Sequence, residues 1–356
     1  MPKERALVLC DGYFGQSTGK TANGLVRYSK RFEIVGVIDH TKQGRDAGEV
    51  LDGTRNGIPI LRDLREGVAK GRPESVVIGV ATFGGYIPKE FRPIIREAIE
   101  SGLNVYAGLH EYLNDDPEFA ELAKDHGVRL VDVRRPRPVR ESQQFSDKSR
   151  HLPCLRIPVL GTDGAIGKRT CALLLTDALN AAGIAATFVA TGQTGLLQGS
   201  EFGVPLDGIK GDFMVGELEA EIVRAYDTTK PRVIVVEGQG SISHPAYVAG
   251  SRAIIMASMP SGIVMMHAPA RKIRSFRRDI VAWPMPTVAE EIEWLEFFCR
   301  IAGGGKVIAI GLNHENMTRE EIEATVREYE SRFGLPTADP LWHGCGKFAD
   351  RIRAMQ

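Results

Sequence analysis

Two glycine-rich stretches each connect a predicted strand to a predicted helix, and both have residue types that bind phosphate. The first is GQSTGKT, residues 15–21, and the second is GTDGAIGKRT, residues 161–170. In such a loop, backbone NH groups point inward at the start of a helix, where the helix dipole favours an anion and a lysine side chain reaches over it. The sequence therefore predicts a phosphate-binding site, and the spacing of the glycines indicates which stretch forms it.

The first stretch does not have the spacing of a nucleotide-binding loop. The common P-loop has four residues between its first glycine and its Gly-Lys pair, whereas Gly15 and Gly19 enclose three. We therefore predict that this stretch is a tight turn in a Rossmann-like domain. Asp39 follows Gly19 by about 20 residues, at the end of the second predicted strand. It is either an acid that binds the ribose of NAD or a structural cap.

The second stretch resembles the loop GTDTxVGK of dethiobiotin synthetase and its relatives. Those enzymes have Ser or Thr directly after the lysine to hold magnesium, whereas this chain has Arg169 there and its hydroxyl one residue later. This is either an ordinary basic helix start or an anion site. Cations at a helix N-terminus are unfavourable without an anion, which favours a bound pyrophosphate or the ribose phosphate of coenzyme A. We expect the following residues to bind the cofactor: Gly161, Thr162, Asp163, Gly164, Gly167, Lys168, Arg169 and Thr170.

Polar residues also follow other predicted strands, at the sheet edge where doubly wound proteins bind ligands. Glu237 follows a buried apolar run and is a base, a magnesium ligand or a carboxylate that accepts backbone NH groups. Asp212 precedes a predicted helix and is an N-terminal cap, a metal ligand or a base. His244 is a third candidate base, although a lone histidine is more often structural. Candidate substrate-binding residues are Thr191, Gln193, Thr194, His267 and Arg271.

The composition excludes several classes of protein. The 356 residues include 45 Lys and Arg and 45 Asp and Glu, so the net charge is zero and gives no reason to expect nucleic acid or an anionic membrane as a partner. The five cysteines form no CxxC pair, which suits a reducing cytoplasm. No apolar run approaches the roughly 20 residues of a membrane span, and the apolar part of the N-terminus is too short for a signal peptide. We expect a cytoplasmic protein that holds no metal.

The elements that position these residues form an α/β protein of two domains. Short apolar runs alternate with helix-like stretches, which predicts parallel sheets with helices on both faces. We assign residues 1–136 to a Rossmann-like domain, and residues 137–153, which are polar and contain proline, to a linker or a strap over the surface. Residues 154–356 are predicted to form a P-loop domain with a doubly wound parallel sheet. In this domain, Thr318 and Glu321 have capping-box spacing before a long helix.

Seven segments occur in order over nearly the whole chain: DGYFGQSTGKTANGLVRYS, VIGVATFGGYIP, AGLHEYLNDDPEFAELAKDHGVRLVDVRRP, GTDGAIGKRT, TGQTGLLQG, VEGQGSISHPAY and HAPARK. Together they resemble the D-glutamate N-acetyltransferase family, formerly the domain of unknown function DUF1611. The resemblance implies a Rossmann-like domain followed by a P-loop domain. It also implies that acetyl-CoA acetylates the amino group of D-glutamate, or of a similar acidic amino acid, in D-amino-acid catabolism. We also expect a homo-oligomer.

The implied chemistry can be compared with the candidate residues. Acetyl transfer to an amine requires a base for the amine proton, NH groups that stabilise an oxyanion and an anchor for the phosphates of coenzyme A. Arg271 or another arginine would pair with the carboxylates of the substrate, since the guanidinium suits bidentate contact. No step uses ATP or magnesium. Two alternatives stay open: an ATP- and magnesium-dependent enzyme of the dethiobiotin synthetase type, and a protein that senses a nucleotide or coenzyme A without turnover.

Overall fold

The structure is a computed structural model that describes residues 2–275 and 281–356. The chain divides into two compact units. The second unit contains the loop at residues 161–170. The first unit consists of Met1–Pro136 and Gln193–Ser200, and the second of Arg137–Gly192 and Glu201–Gln356.

A six-stranded sheet forms the centre of the first unit. Its strands are β1 (Glu4–Leu9), β2 (Phe32–Ile38), β3 (Ile60–Leu61), β4 (Ser75–Ile78), β5 (Asn104–Ala107) and β6 (Leu130–Asp132). They lie in the order β3-β2-β1-β4-β5-β6, and every pair is parallel. This is the strand order of the Rossmann fold. The helices between the strands are α1 (Lys20–Arg27), α2 (Ala47–Asp52), α3 (Leu64–Gly71), α4 (Arg92–Glu100) and α5 (Pro117–His126).

Local sequence signals explain where the helices of the first unit begin and end. Asp63 and Asp116 accept hydrogen bonds from backbone NH groups in the first turns of α3 and α5, as N-cap residues do. Pro117 occupies the first position of α5, where no NH is needed. Gly127 ends α5 with a φ of 64°, a left-handed conformation that glycine adopts at low cost.

A seven-stranded sheet forms the centre of the second unit, in the order β13-β12-β11-β7-β10-β8-β9 with every pair parallel. Its strands are β7 (Leu155–Gly161), β8 (Ala186–Ala190), β9 (Phe202–Gly203), β10 (Val233–Glu237), β11 (Ile263–His267), β12 (Val307–Leu312) and β13 (Thr337–Ala338). The helices are α6 (Lys168–Ala181), α8 (Met214–Thr229), α9 (Ala249–Ser258), α10 (Val288–Ile301), α11 (Arg319–Phe333) and α12 (Gly346–Arg353). The intervening helix α7 (Gln193–Leu197) belongs to the first unit.

Alternate residues of the central strands point into two hydrophobic clusters, one on each face of this sheet. In β10, Val233 and Val235 belong to the cluster that includes α6 and α12, whereas Ile234 and Val236 belong to the cluster that includes α8 and α10. A strand that is buried on both faces needs a continuous apolar run, which is the pattern in the sequence. The predicted α/β class, with a Rossmann-like domain followed by a doubly wound P-loop domain, is confirmed.

Two helices of the second unit begin with a capping box, and the sequence predicts the one before α11. Thr318 and Glu321 cap α11, and Thr287 and Glu290 cap α10 in the same way. In each case the threonine side chain accepts the NH of the glutamate, while the glutamate side chain accepts the NH of the threonine. These caps fix the start of α10, one of whose residues reaches the site described below.

The polar segment at residues 137–153 lies in the second unit and hydrogen-bonds to α8. Two buried glutamates on α8 accept its backbone NH groups. Glu217 accepts the NH of Gln143 at 2.9 Å, and Glu219 accepts the NH groups of Ser146 at 2.6 Å and Ser149 at 3.2 Å. These bonds explain why two carboxylates occupy buried positions on α8, since a buried charge is stable only when hydrogen-bonded or paired.

In the described part of the chain, none of the helices combines the length and the apolar character needed to cross a membrane.

Candidate functional site

The carboxyl ends of three neighbouring strands bring together the predicted loop and two predicted side chains. Strand β7 lies between β11 and β10, and Met266 in β11 is paired with Gly161 at the end of β7. Glu237 ends β10 and His267 ends β11. Because parallel strands end at the same edge of a sheet, the loop, Glu237 and His267 all lie at the edge where doubly wound proteins bind ligands.

The loop between β7 and α6 has the shape of a phosphate-binding loop. Ala165 and Gly167 have left-handed backbones, with φ of 52° and 93°, which turn the chain sharply before α6 begins. Gly161 permits close approach of β11, because a Cβ atom there would lie 2.5 Å from the carbonyl oxygen of Met266. Gly167 precedes α6 without a side-chain cap. The first NH groups of α6 therefore have the arrangement that binds an anion.

Two cations follow Gly167 in this loop, as the sequence predicts. Lys168 is buried, and its Nζ donates to the carbonyl oxygen of Asp163, so its side chain folds back over the loop. Arg169 is half-buried, and its charge acts to lower the pKa of Glu237. Thr170 is half-buried one residue further along α6. The loop therefore combines helical NH groups with positive charge, which suits a phosphate group.

Asp163 is a fully buried anion that holds the loop to the segment after β11. Its Oδ2 accepts from Arg271 Nη1 at 2.9 Å, from the NH of Ser275 at 2.9 Å and from the hydroxyl of Ser275 at 3.1 Å. Its Oδ1 lies 3.6 Å from His244 Nε2 and 3.8 Å from Arg274 Nη1. Burial raises the pKa of Asp163, but hydrogen bonds from Ser275 and Arg271 outweigh it and hold the pKa below its usual value. Asp163 is therefore a structural anion of the loop.

Arg271 is already engaged by the loop. Its Nη1 donates to Asp163 and, at 2.8 Å, to the carbonyl oxygen of Gly164. Its Nη2 donates to the carbonyl oxygen of Ala165 at 3.4 Å and pairs with Glu315. To pair with a substrate carboxylate, Arg271 would have to release one of these partners. Its predicted role in substrate binding stays a prediction.

Glu237 is buried and hydrogen-bonded to the chain that follows β8. Its Oε2 accepts the NH groups of Thr191 at 2.9 Å and Gly192 at 3.2 Å, and its carbonyl oxygen accepts the hydroxyl of Thr191 at 3.0 Å. Burial raises the pKa of Glu237, although the charge of Arg169 and these NH groups oppose it. A carboxyl group with a raised pKa at the ligand edge of a sheet has the property of a general base. Glu237 also accepts backbone NH groups, which was another of the interpretations from the sequence.

The geometry of His244 favours a structural role. Its Nδ1 accepts the NH groups of Ala246 at 3.0 Å and Tyr247 at 2.9 Å. The neutral ring must therefore carry its proton on Nε2, the atom that faces Asp163. Burial lowers the pKa of His244 to about 4, so the ring is neutral near pH 7 and its basic nitrogen is occupied. Between the two candidates, the geometry favours Glu237 as the base.

His267 contacts the loop directly. Its Nδ1 lies 3.0 Å from the hydroxyl of Thr162, and its carbonyl oxygen accepts the NH of Asn313 at 2.8 Å. Burial, together with the charges of Lys272 and Arg271, lowers the pKa of His267 to about 4. A neutral imidazole at this position can accept or donate a hydrogen bond but adds no charge to the loop.

The interpretation of Asp212 as a helix cap is wrong. Asp212 lies exposed in the short turn Gly211–Phe213, and the N-cap of α8 is Phe213, which has no side-chain cap bond. The helix starts one residue later than a cap at Asp212 would require, because Asp212 itself lies in the turn of 3-10 helix that precedes α8. None of the described hydrogen bonds joins Asp212 to the loop or to Glu237, and its role as a base stays a prediction.

The stretch TGQTGLLQG is divided between the two units. Thr191 belongs to the second unit, where it bonds to Glu237. Gln193 and Thr194 open the short helix α7 of the first unit. The hydroxyl of Thr194 lies 3.0 Å from that of Thr21, and the side chain of Gln193 packs on Gly108, where a Cβ would lie 2.8 Å from it.

Sequence reasoning missed the most buried cation of the site, Arg274. Its Nη1 donates to the carbonyl oxygen of Thr162 at 2.7 Å and to the hydroxyl of Ser241 at 3.0 Å. Its Nη2 donates to the hydroxyl of Ser243 at 2.7 Å. The signal was available in HAPARKIRS, but a third cation next to Arg271 is ordinarily a solvated surface charge. Only the tertiary structure shows that Arg274 is 2% exposed.

Sequence reasoning also missed Glu291. It lies on α10 and accepts a hydrogen bond from the hydroxyl of Ser243. Burial raises the pKa of Glu291 to about 7. The signal was its position, since Val288, Glu291, Leu295 and Cys299 share the buried stripe of α10. A charged residue in an otherwise apolar stripe indicates a buried partner.

In the first unit, Asp39 is a structural cap. Its oxygens accept the NH groups of Gly12 and Phe14, both at 3.1 Å, and the NH and hydroxyl of Thr41 at 3.0 and 2.6 Å. Lys42 is a further partner at 3.3 Å. Burial raises the pKa of Asp39, and these hydrogen bonds outweigh it and lower the pKa below its usual value. The structural interpretation is favoured over the NAD acid, because both oxygens already have donors.

Asp11, Asp39 and His40 bring three potential metal-ligand atoms within 4.8 Å of one another. His40 Nδ1 hydrogen-bonds to Asp11 at 2.7 Å. Hydrogen bonds within the protein account for all three side chains, so we assign no metal to this group.

Both parts of the chain match models of known domain families. Residues 143–349 match the DUF1611 C-terminal domain of unknown function, described as a P-loop domain. Residues 40–136 match the DUF1611 N-terminal domain of unknown function, described as a Rossmann-like domain. The two matches follow the order of the predicted domains.

Two curated proteins and one crystal structure are similar to the chain over most of its length. The D-glutamate N-acetyltransferase of Tritonibacter scottomollicae is 34% identical over 293 residues, 82% of this chain and 84% of that protein. The D-glutamate N-acetyltransferase of a Pseudoalteromonas species is 32% identical over 278 residues, 78% and 80% of the two chains. The crystal structure at 2.30 Å of a DUF1611 family protein from Anabaena variabilis has a TM-score of 0.90 at 29% identity, covering 99% of this chain and 100% of that one. With both domain models matched in order and relatives that span most of its length, the chain belongs to the DUF1611 family.

Proposed function

We propose that the chain is a D-glutamate N-acetyltransferase, which moves the acetyl group of acetyl-CoA to the amino group of D-glutamate. The observation that carries the proposal is the identity of 34% and 32%, over 82% and 78% of the chain, with two curated proteins of that name. It confirms the N-acetyltransferase function that the family resemblance implies. The chain is thus an enzyme with a small-molecule substrate.

In the reaction, the amine nitrogen forms a bond to the acetyl carbon and the bond from that carbon to sulfur breaks. The thiolate of coenzyme A leaves and takes up the proton that the amine loses. A base must carry this proton, and we assign the role to Glu237. Its burial, its raised pKa and its place at the end of β10 support the assignment. Backbone NH groups of the glycine-rich loops suit the oxyanion that forms on the acetyl carbonyl.

We assign the phosphates of acetyl-CoA to the loop at residues 161–170. The NH groups at the start of α6, the buried ammonium of Lys168 and the guanidinium of Arg169 support this assignment. The displaced hydroxyl of Thr170 is consistent with a reaction that uses neither ATP nor magnesium. For the acidic amino acid, we retain the candidates from the sequence, which are Thr191, Gln193, Thr194, His267 and Arg271.

A single assay tests the proposal. Purified protein is mixed with acetyl-CoA and a panel of D- and L-amino acids, without metal or ATP, and release of free thiol is followed. We expect release that depends on D-glutamate. Absence of release with every amino acid, together with turnover of ATP in the presence of magnesium, would instead identify an enzyme of the dethiobiotin synthetase type.

We also propose that the chain acts as a homo-oligomer in a reducing compartment, the cytoplasm. The five thiols are free, which suits such a compartment. The exposed face of α10 supports self-association, since Trp294, Phe297 and Ile301 are 39%, 51% and 62% exposed. Glu293 and Arg300 flank this face, and neither forms an ion pair with another residue that the structure describes. In an antiparallel pair of α10 helices, Glu293 of each copy would face Arg300 of the other.

Light scattering after gel filtration tests this arrangement. Glu293→Arg and Arg300→Glu should each weaken the oligomer by placing like charges opposite each other, and the double variant should restore it. A monomeric wild-type protein, or a double variant no better than either single one, would contradict the proposed pairing.

A further inference from the structure

A chain of hydrogen bonds joins Glu291 on α10 to the phosphate-binding loop. Glu291 Oε2 accepts from the hydroxyl of Ser243, and that hydroxyl accepts from Arg274 Nη2 at 2.7 Å. Arg274 Nη1 donates in turn to the carbonyl oxygen of Thr162 at 2.7 Å. Both Glu291 and Arg274 are buried, so water screens their charges poorly. A change of charge on Glu291 is therefore felt at the loop.

We propose that Glu291 is a positioning residue that couples its own protonation to anion binding in the loop: a phosphate group in the loop draws a proton onto Glu291, and a protonated Glu291 strengthens the binding of phosphate. The inference rests on the proposed function only in taking a phosphate of coenzyme A as the natural ligand. Any phosphate that occupies the loop is sufficient to test it.

Protonation of Glu291 changes the charge at one end of this series of hydrogen bonds without breaking any of the bonds. Glu291 Oε1 is buried and has no hydrogen-bond partner in the part of the chain that the structure describes. A proton can therefore sit on Oε1 while Oε2 continues to accept from Ser243. Glutamine at this position resembles the protonated acid in size and in charge.

The direction of the coupling follows from the charges around Arg274. Asp163 already lies 3.8 Å from the Arg274 guanidinium. An ionised Glu291 adds a negative charge next to the Arg274 guanidinium and so weakens the positive field at the loop. When Glu291 is neutral, that field favours an anion. Linkage is reciprocal, so a bound anion must raise the affinity of Glu291 for its proton by the same factor.

Glu291 titrates in a range where its neighbours do not. Burial raises the pKa of Glu291 to about 7, against the hydrogen bond from Ser243, the positive charges of Arg274 and Lys168 and the backbone NH of Ile242, which all lower it. The two histidines near the loop, His244 and His267, have pKa values of about 4. The pKa of Glu237 is also raised, so a variant at position 291 is needed to isolate the coupling.

The test measures the binding of inorganic pyrophosphate by calorimetry between about pH 6 and about pH 8, for the wild type, Glu291→Gln and a control, Glu328→Gln. Glu328 is an exposed residue of α11. The ratio of the dissociation constants of wild type and variant cancels the titration of the ligand. For Glu291→Gln, we expect a ratio near one at about pH 6 that rises to about fivefold at about pH 8 and approaches about tenfold at higher pH, as an increase of one unit in the pKa of Glu291 on binding implies. For the control, Glu328→Gln, the ratio of dissociation constants should stay near one at every pH.

A ratio for Glu291→Gln that does not change with pH would overturn the inference. If that variant fails to fold, sulfate, whose charge is constant over this range, is titrated into Glu237→Gln, which lacks the other carboxyl group of the site with a raised pKa. Its affinity should fall as the pH rises, with uptake of a proton on binding, and an affinity independent of pH would overturn the inference. Coupling seen with pyrophosphate in a protein that releases no thiol would leave the inference intact and refute the acetyltransferase. Thiol release from a protein whose ratio of dissociation constants does not change with pH would support the acetyltransferase and overturn the inference about Glu291.

Discussion

Replacing Glu291 with glutamine is expected to stabilise the protein, by an amount that grows with pH. Burial raises the pKa of Glu291 from 4.5 to about 7. Between about pH 4.5 and about pH 7, the folded state therefore holds a proton that the unfolded state has lost. At about 1.36 kcal/mol per pKa unit, this difference in pKa lowers the free energy of unfolding by ~3 kcal/mol once Glu291 is ionised. The contribution of Glu291 to stability is greatest below about pH 4.5, falls as the pH rises to about 7 and continues to fall little above it. Glutamine is neutral throughout, so the variant should gain up to ~3 kcal/mol at about pH 8 and nothing near pH 4.5.

Urea unfolding followed by far-UV circular dichroism, at several pH values between about 5 and 8, measures this difference. Glu328→Gln is the matched control, because it removes a carboxylate from the surface of α11, where a single exposed charge changes stability little. A gain that is the same at every pH would show that the effect is one of packing. A variant less stable than the wild type at about pH 8 would refute the reasoning, because it would mean that the ionised carboxylate is favourable where it lies.

Three further predictions concern the loop and its edge of the sheet. Lys168→Ala should weaken binding of coenzyme A, measured by calorimetry, by at least about tenfold, since a buried ammonium over a phosphate is lost; unchanged affinity would remove the loop from the site. Gly238→Ala should lower the free energy of unfolding by more than ~2 kcal/mol, because its Cβ would lie 1.9 Å from the carbonyl oxygen of Val159, and a wild-type unfolding curve would contradict this. Glu237→Gln should lower kcat by about 10²-fold or more. Since burial raises the pKa of Glu237, wild-type activity should rise with pH as this group loses its proton. If Glu237→Gln keeps the same rise of activity with pH, Glu237 is not the base.

Features that depend on short-range pattern were predictable from the sequence. The apolar runs of β10 and β11 are buried on both faces as expected, and the spacing of Thr318 and Glu321 produces the predicted capping box. Helix α6 begins at Lys168, directly after a glycine-rich stretch that is predicted to connect a strand to a helix. Each of these features is decided within a few residues, where periodicity and capping chemistry act.

Features that depend on contacts distant in sequence were not predictable. Nothing in the sequence around Arg274 indicates that its guanidinium reaches the carbonyl oxygen of Thr162, more than one hundred residues earlier. Glu291 could be suspected from its place in an apolar stripe, but its partner, Ser243, could not. Asp212 precedes a helix as a cap would, yet a turn of 3-10 helix intervenes and leaves it exposed. These outcomes are set by the tertiary structure, which local patterns do not encode.

The membership of residues 193–200 in the first unit has a consequence for the order in which the chain folds during synthesis. Gln198 Nε2 donates to the carbonyl oxygens of Gly24 at 2.8 Å and Tyr28 at 2.9 Å, so this piece satisfies polar groups at the end of α1. A ribosome must add roughly 60 residues after Pro136 before the piece is made, which takes several seconds at ~5–20 residues per second. During that interval the nascent first unit lacks a part of its packing, and a chaperone or a protease would meet it in an incomplete state.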